Sequence, residues 1–372
     1  MQLYKLNELY SITSGLSKPA NKFGYGNPFL SFSVVFNNFH IPNNITELVD
    51  TNMSEIERFS IQRGDVFVTR TSEKLDELGK SCVALKDIPR ATFNGFCKRL
   101  RPKCCENIIL PEYAQYLFRS KQFTNQIIYS CPMSTRASLN EEILNTIVLN
   151  LHSLNEQRHI VDIIGSLDDK IENNNKLYKK IDEYLLLKYK KIQDKTVIGN
   201  FKDNFNILNG YAFKSKDYTE FGTYKVITIK NIKSDGFTTA SCDFIDFNDD
   251  YRKVKLNIGD ILLTMTGDVG RVGIVDQENC LLNQRVLKVT GISPAYTYAF
   301  LKSNYYNISM ISKGSVQQNL SVNDLYNISV YNSKQQIFEF KKYDSLFEKM
   351  VALKKENIKL QQLKSNYLAK FF

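Results

Sequence analysis

No run of apolar residues in this 372-residue chain approaches the ~20 that a membrane-spanning helix requires. Met1-Gln2-Leu3-Tyr4-Lys5 begins no signal peptide, so the expected location is the cytoplasm. Seven cysteines are an odd number, and no two are spaced C-x-x-C. Cys104 and Cys105 are adjacent, which suits neither a disulfide framework nor zinc ligation, so reduced thiols are expected. Histidine is scarce: His40, His152 and His159 stand in no H-E-x-x-H or carboxylate–histidine setting, and no metal site is expected. There is no G-x-S-x-G elbow and no Walker loop. Asn27-Pro28-Phe29 lacks the second proline that an adenine methyltransferase loop needs. Gly267-Asp268-Val269-Gly270-Arg271-Val272-Gly273 has the wrong glycine spacing for a dinucleotide loop and is followed by a strand, so a β-hairpin is expected. The residues left describe a binding protein.

The chain carries a formal charge of +10, which fits an anionic partner or simply a lysine-rich surface. More telling is the stretch from Ser153 to about Ile192. Ile160, Ile164, Leu167, Ile171, Asn174, Tyr178, Ile181 and Leu185 recur every three or four residues, which places one narrow apolar seam on a helix. Ser153 and Glu156 form a capping box, and Lys190 and Lys191 suit the last turn. Such a helix is roughly 55–60 Å long.

What flanks this helix is duplicated. Arg63 to Arg70 reads as a glycine–aspartate turn leading into a strand, and Leu256 to Thr264 repeats it 195 residues later. The polar segment Met133 to Leu139 recurs as Gly314 to Leu320, a step of 181 at Ser134 and Ser315. The capping box returns as Ser333 and Gln336, a step of 180, followed by Tyr343, Leu346, Met350, Leu353, Asn357, Leu360 and Tyr367, with Lys364 interrupting the seam. The expected fold is α+β. Two β-rich globular domains, 1–152 and 195–332, alternate with a central long helix, 153–194, and a C-terminal long helix, 333–372. The helices would pair as an antiparallel coiled coil with a pseudo-two-fold relation overall. Asn174 and Asn357 lie mid-seam, either as a buried pair fixing register or as solvated edge positions. Ile163, Leu186, Leu187, Ile358 and Leu363 lie off the seam and are expected to dock further helices from partner subunits.

In this order, twice over, the segments resemble the specificity subunit of type I restriction–modification enzymes. Leu208 to Tyr218 is similar to the opening of that family's target recognition domains, the Gly64-Asp65 and Gly259-Asp260 strands to the next segment, and Thr71-Ser72-Glu73 with Gly79-Lys80 follows. Ile160 to Asn175, with Leu167-Asp168-Asp169-Lys170-Ile171-Glu172, resembles the family's central helix; the C-terminal helix has Leu346-Phe347-Glu348-Lys349-Met350 instead. The resemblance implies that each domain reads half of a bipartite, asymmetric double-stranded DNA target and that the helices set the spacing. It implies two modification subunits, bringing S-adenosylmethionine and adenine-N6 methylation, and restriction subunits with ATP and Mg. No cofactor or catalytic residue would lie in this chain.

Affinity for DNA comes from cations on phosphates and specificity from paired donors and acceptors at base edges. On that basis the candidates in the second domain are Arg271, Lys313, Ser315, Gln317 and Gln318, with Lys214 and Thr266 behind them. The glutamines suit adenine, and Lys313 or Ser315 suits phosphate. In the first domain they are Ser134, Thr135 and Arg136, with Arg70, Thr71, Ser72 and Lys80 at the strand end. Arg99 and Arg101, flanking a strand, are expected as surface salt-bridge residues. Two readings from other classes stay open on the residues alone: a structural adaptor whose duplicated domains bind protein, and an enzyme with unrecognised catalytic residues. A steep loss of duplex affinity with salt separates DNA binding from the adaptor.

Overall fold

Val66–Thr69 and Ile261–Thr264 are buried at every residue, which is why neither run alternates apolar with polar side chains. Each forms an inner strand of a four-stranded antiparallel sheet. In the computed structural model, which describes residues 1–72, 74, 77–103, 108–131, 137–193, 199–312 and 319–372, the first sheet has the order Tyr10–Ser14, Cys97–Pro102, Val66–Thr69, Ser81–Val83. The second has the order Phe205–Asn209, Val286–Gly291, Ile261–Thr264, Val272–Ile274. Strand for strand the two orders agree, and Ile261–Thr264 with Val272–Ile274 is the hairpin expected around Gly267 to Gly273.

Period-two alternation sends successive side chains to opposite faces, so each sheet has a core on both sides. In the first domain Val66, Val68 and Leu100 pack with Tyr113, Tyr116, Phe118, Ile160 and Ile164 on the helix side. Phe67 and Cys97 pack with Leu30 and Phe93 on the other. The second domain repeats this with Ile261, Leu263 and Leu287 against Tyr296, Phe300 and Leu185, and Leu262 and Val286 against Val226 and Leu281. A second sheet closes the other face in each, three-stranded in the first domain and five-stranded in the second, and each includes one parallel pairing: Phe29 with Thr92, and Lys225 with Cys280.

The glycine–aspartate turn has the same construction twice. Gly64 and Gly259 take φ of +90° and +92°, where a side chain is strained. Asp65 and Asp260 then accept a hydrogen bond at 2.8 Å from the amide three residues back, Gln62 and Asn257. Each aspartate also meets a cation from the neighbouring strand: Arg101 for Asp65, Lys288 for Asp260.

The chain divides into two units, residues 1–169 with 361–372 and residues 170–360. The central helix spans Leu154–Ile192, with the Ser153–Glu156 capping box formed by hydrogen bonds in both directions. The C-terminal helix departs from expectation. Lys334–Glu339 is a separate short helix, Phe340–Tyr343 tightens to 3₁₀, and the long helix is Asp344–Phe371. Tertiary contacts impose the break: Phe340 is buried in the second core, and Asp344 accepts from Ser293 Oγ at 2.5 Å and from the Ala295 amide at 3.1 Å. Asp344 thus satisfies the start of the Pro294–Ser303 helix.

Within the second unit the helices run antiparallel. Lys170 pairs with Glu356, Lys354 lies over the Tyr178 ring, and Tyr184 meets Tyr343. Between them Asn174 Nδ2 donates to Asn357 Oδ1 at 2.9 Å, and Asn357 Nδ2 donates to Asn175 Oδ1. Both mid-seam asparagines are buried, at 3% and 7% exposure. Asn174→Leu leaves the buried Asn357 Oδ1 without its donor and is expected to cost about 1–3 kcal/mol. Pairing it with Asn357→Leu is expected to recover most of that loss in thermal unfolding; an additive further loss would refute the coupling.

The seam lysine has an equally local cause. Lys364, in the first unit, bonds Asp168 at 2.6 Å and lies over the Phe39 and Tyr116 rings. Among the docking candidates, Leu186 packs on its own domain core, Ile163 and Ile358 are half-buried, and Leu187 and Leu363 are exposed at 51% and 42%.

Candidate nucleic-acid interface

The hairpin loop of the second domain is fixed by one hydroxyl. Thr264, at the strand end, donates to the Asp268 carbonyl at 2.6 Å and accepts from the Arg271 amide at 3.0 Å. This turns Arg271 towards Asp268, whose carboxylate it meets at 2.6 Å. With the aspartate side chain 64% exposed, such a pair contributes little to stability and exchanges readily for another anion. Lys230 and Lys233 join Arg271 around an open groove of about 670 Å³. A second groove of about 520 Å³ is lined by Thr266, Gln284, Arg285 and Asn319, with Thr266 bridged to Asn319 through the backbone.

The matching strand end in the first domain is Thr69. Arg70 follows it, exposed, with its amide on the Phe96 carbonyl and its carbonyl on the Leu139 amide. Thr71 and Ser72 pair with Ser138 and Ala137. Lys80 lies at the same end, its carbonyl accepting from the Thr69 amide. Lys98 donates to Ser14 Oγ, and burial together with the nearby Arg70 charge holds its ammonium below the ordinary lysine range. Two cations in mutual repulsion are a site that an anion relieves.

Of the residues expected from sequence, Arg70, Thr71, Ser72 and Lys80 come together in the first domain, and Thr266 and Arg271 share one loop in the second. Lys214 precedes the Ser215–Asp217 turn and lines neither groove. Ser134, Thr135, Arg136, Lys313, Ser315, Gln317 and Gln318 lie outside the described residues. Sequence reasoning missed Lys98, Lys230, Lys233, Gln284 and Arg285. Asn283-Gln284-Arg285 had a usable signal, since it follows a strand as Asn94-Gly95-Phe96 does.

Of the two strand arginines, Arg101 forms the expected salt bridge, though with a buried partner, and Arg99 departs from expectation. Arg101 makes a two-pronged ion pair, at 2.8 and 2.6 Å, with the wholly buried Asp65. Among the described residues Arg99 makes no salt bridge: it is 6% exposed, donates to the Ser60 carbonyl at 2.7 Å and lies over the Phe93 ring. Its inward-facing strand position and the carbonyls around it, rather than solvent, set its role. Asp276 is likewise structural; burial pushes its carboxyl up to about 6, beside Tyr178, Met350 and Lys354.

The family model for the type I restriction modification DNA specificity domain matches residues 1–183 and 194–361. The chain belongs to this family. It contains two specificity domains in tandem, and the repeated sheet order is the structural form of that duplication. Among curated proteins it is similar to the EcoKI specificity subunit of Escherichia coli K12, 29% identical over 162 residues. That alignment covers 43% of this chain and 34% of the relative. Among solved structures it is similar to the type I restriction–modification S subunit of M. genitalium, with a TM-score of 0.58 at 16% identity, covering 100% of this chain and 96% of that one. The likeness extends to the fold. No helix among the described residues of this specificity-family chain is long and apolar enough to cross a membrane.

Proposed function

We propose that this chain is the DNA sequence-recognition subunit of a type I restriction–modification complex, acting in the cytoplasm without catalytic residues of its own. Each specificity domain takes one half of a bipartite target. The halves differ because the domains place different side chains on the same framework. The observation that carries this is the shared strand end at Thr69 and Thr264, from which polar and cationic loops emerge in both domains. Arg70, Lys98, Arg271, Lys230 and Lys233 supply phosphate contacts, which position the duplex without reading it. Two modification subunits dock on the long helices, Leu187 and Leu363 being the exposed apolar contacts, and carry out adenine-N6 methylation with S-adenosylmethionine. Restriction subunits contribute the ATP- and Mg-dependent steps. Asn174 and Asn357 hold the helix register.

Methylome sequencing of the host with and without the gene tests this. A bipartite adenine-methylated motif that disappears on deletion is the expected result. An unchanged methylome would overturn the assignment.

A further inference from the structure

One turn is built identically in both domains yet displays opposite chemistry. In the first, the Leu16 amide bonds the Phe93 carbonyl, Gly95 N bonds Leu16 O, Cys97 N bonds Asn94 O, and the Phe96 amide donates to Asn94 Oδ1 at 2.7 Å. In the second, the same four bonds join Tyr211 to Leu282, Gln284 to Tyr211, Val286 to Asn283, and the Arg285 amide to Asn283 Oδ1 at 3.1 Å. The turn is then tied to the candidate loop by the same fifth bond, Arg70 N to Phe96 O and Met265 N to Arg285 O. Its two tip positions hold Gly95 and Phe96 in one domain, and Gln284 and Arg285 in the other.

These tip side chains are not engaged in folding. Gln284 and Arg285 are exposed and make no side-chain hydrogen bond or ion pair among the described residues, although they border the groove with Thr266 and Asn319. Phe96 is 62% exposed, next to the amide of the cationic Arg70. A large ring left in water is costly for a merely structural turn. A backbone held constant while its tip changes from apolar to bidentate-polar is the arrangement that a reader of different bases needs. Arg and Gln have the donor patterns for guanine O6/N7 and adenine N6/N7, whereas an apolar side chain suits the thymine methyl.

We infer that this turn is a base-reading element in both domains: Gln284 and Arg285 hydrogen-bond purine edges in one half-site, and Phe96 contacts a thymine methyl in the other. The inference rests on the DNA-recognition function proposed above. Its test uses the full chain assembled with its modification subunits, methylating a duplex library randomised at both half-sites. Arg285→Ala is expected to flatten preference at one position by about tenfold to a hundredfold, Phe96→Ala to do so at a position in the other half, and deoxyuridine at that thymine to mimic Phe96→Ala. Equal loss over all sequences would assign these residues to phosphate, and unchanged preference would leave them as bystanders; either overturns the inference. A wild-type complex with no sequence preference would instead sink the recognition function itself. Unaltered thermal unfolding of the variants, expected for exposed positions, shows that the readout is not misfolding.

Discussion

Gly210→Ala is expected to destabilise the second domain by about 3 kcal/mol or more, seen as a fall of roughly 1–2 M in its urea midpoint. A Cβ at Gly210 would lie 2.1 Å from the Asn283 carbonyl oxygen and 2.2 Å from its carbon. Neither atom can move aside, because Asn283 O accepts the Val286 amide and Asn283 N donates to Ile227 O. Gly15 is the same position in the first domain, with Asn94 O 2.2 Å from a built Cβ, and Gly15→Ala should act alike there. The contrasting control is Gly165→Ala, within the central helix, where the nearest atom is Tyr116 Oη at 3.9 Å. Helix propensity favours alanine there by about 1 kcal/mol, so stability should rise. A Gly210→Ala chain with an unshifted midpoint would show that the approach of the two segments is not fixed. The glycine in the Leu-Asn-Gly-Tyr segment is therefore a packing requirement of the turn.

Arg101→Met is expected to cost about 3–5 kcal/mol in the first domain, because it strands a buried carboxylate. Asp65 has no exposed surface, and two of its bonds come from Arg101. The double variant with Asp65→Asn should be more stable than Arg101→Met alone, since no uncompensated charge remains; denaturant titration of the four chains measures this coupling. A double variant no better than the single would assign the loss to the packing of the arginine stem. Lys288 and Asp260, 18% and 13% exposed as side chains, make the corresponding contact at 2.8 Å with a point charge and one bond. A smaller loss is expected there.

Much of this architecture is legible in the sequence because it is set locally. The capping boxes at Ser153 and Ser333, the seam of Ile160 to Leu185, and the left-handed glycines at 64 and 259 each depend on residues within a few positions of one another. The apolar strands Val66–Thr69 and Ile261–Thr264 are legible for the same reason. The break at Phe340–Tyr343 was not, because its causes, Ser293 and the buried surroundings of Phe340, lie elsewhere in the chain. Lys98 beside Arg70, and Lys230 beside Arg271 in one groove, come from separate strands and loops that only the folded sheet brings together. Arg99 reads as a surface residue until the carbonyls of the Arg58–Ser60 segment are placed around it.

One small contact bears on how the two domains are seated. Tyr116 donates to Asp168 at 2.9 Å, on the helix that follows its domain. Tyr298, its counterpart 182 residues on, donates to Asp182 at 2.7 Å, on the helix that precedes its own. The tyrosine is common to both domains, and both acceptors lie on the one central helix, Leu154–Ile192. The central helix thus offers a carboxylate to the same hydroxyl in each domain. A domain placed in either position would therefore bring its tyrosine to a carboxylate of that one helix.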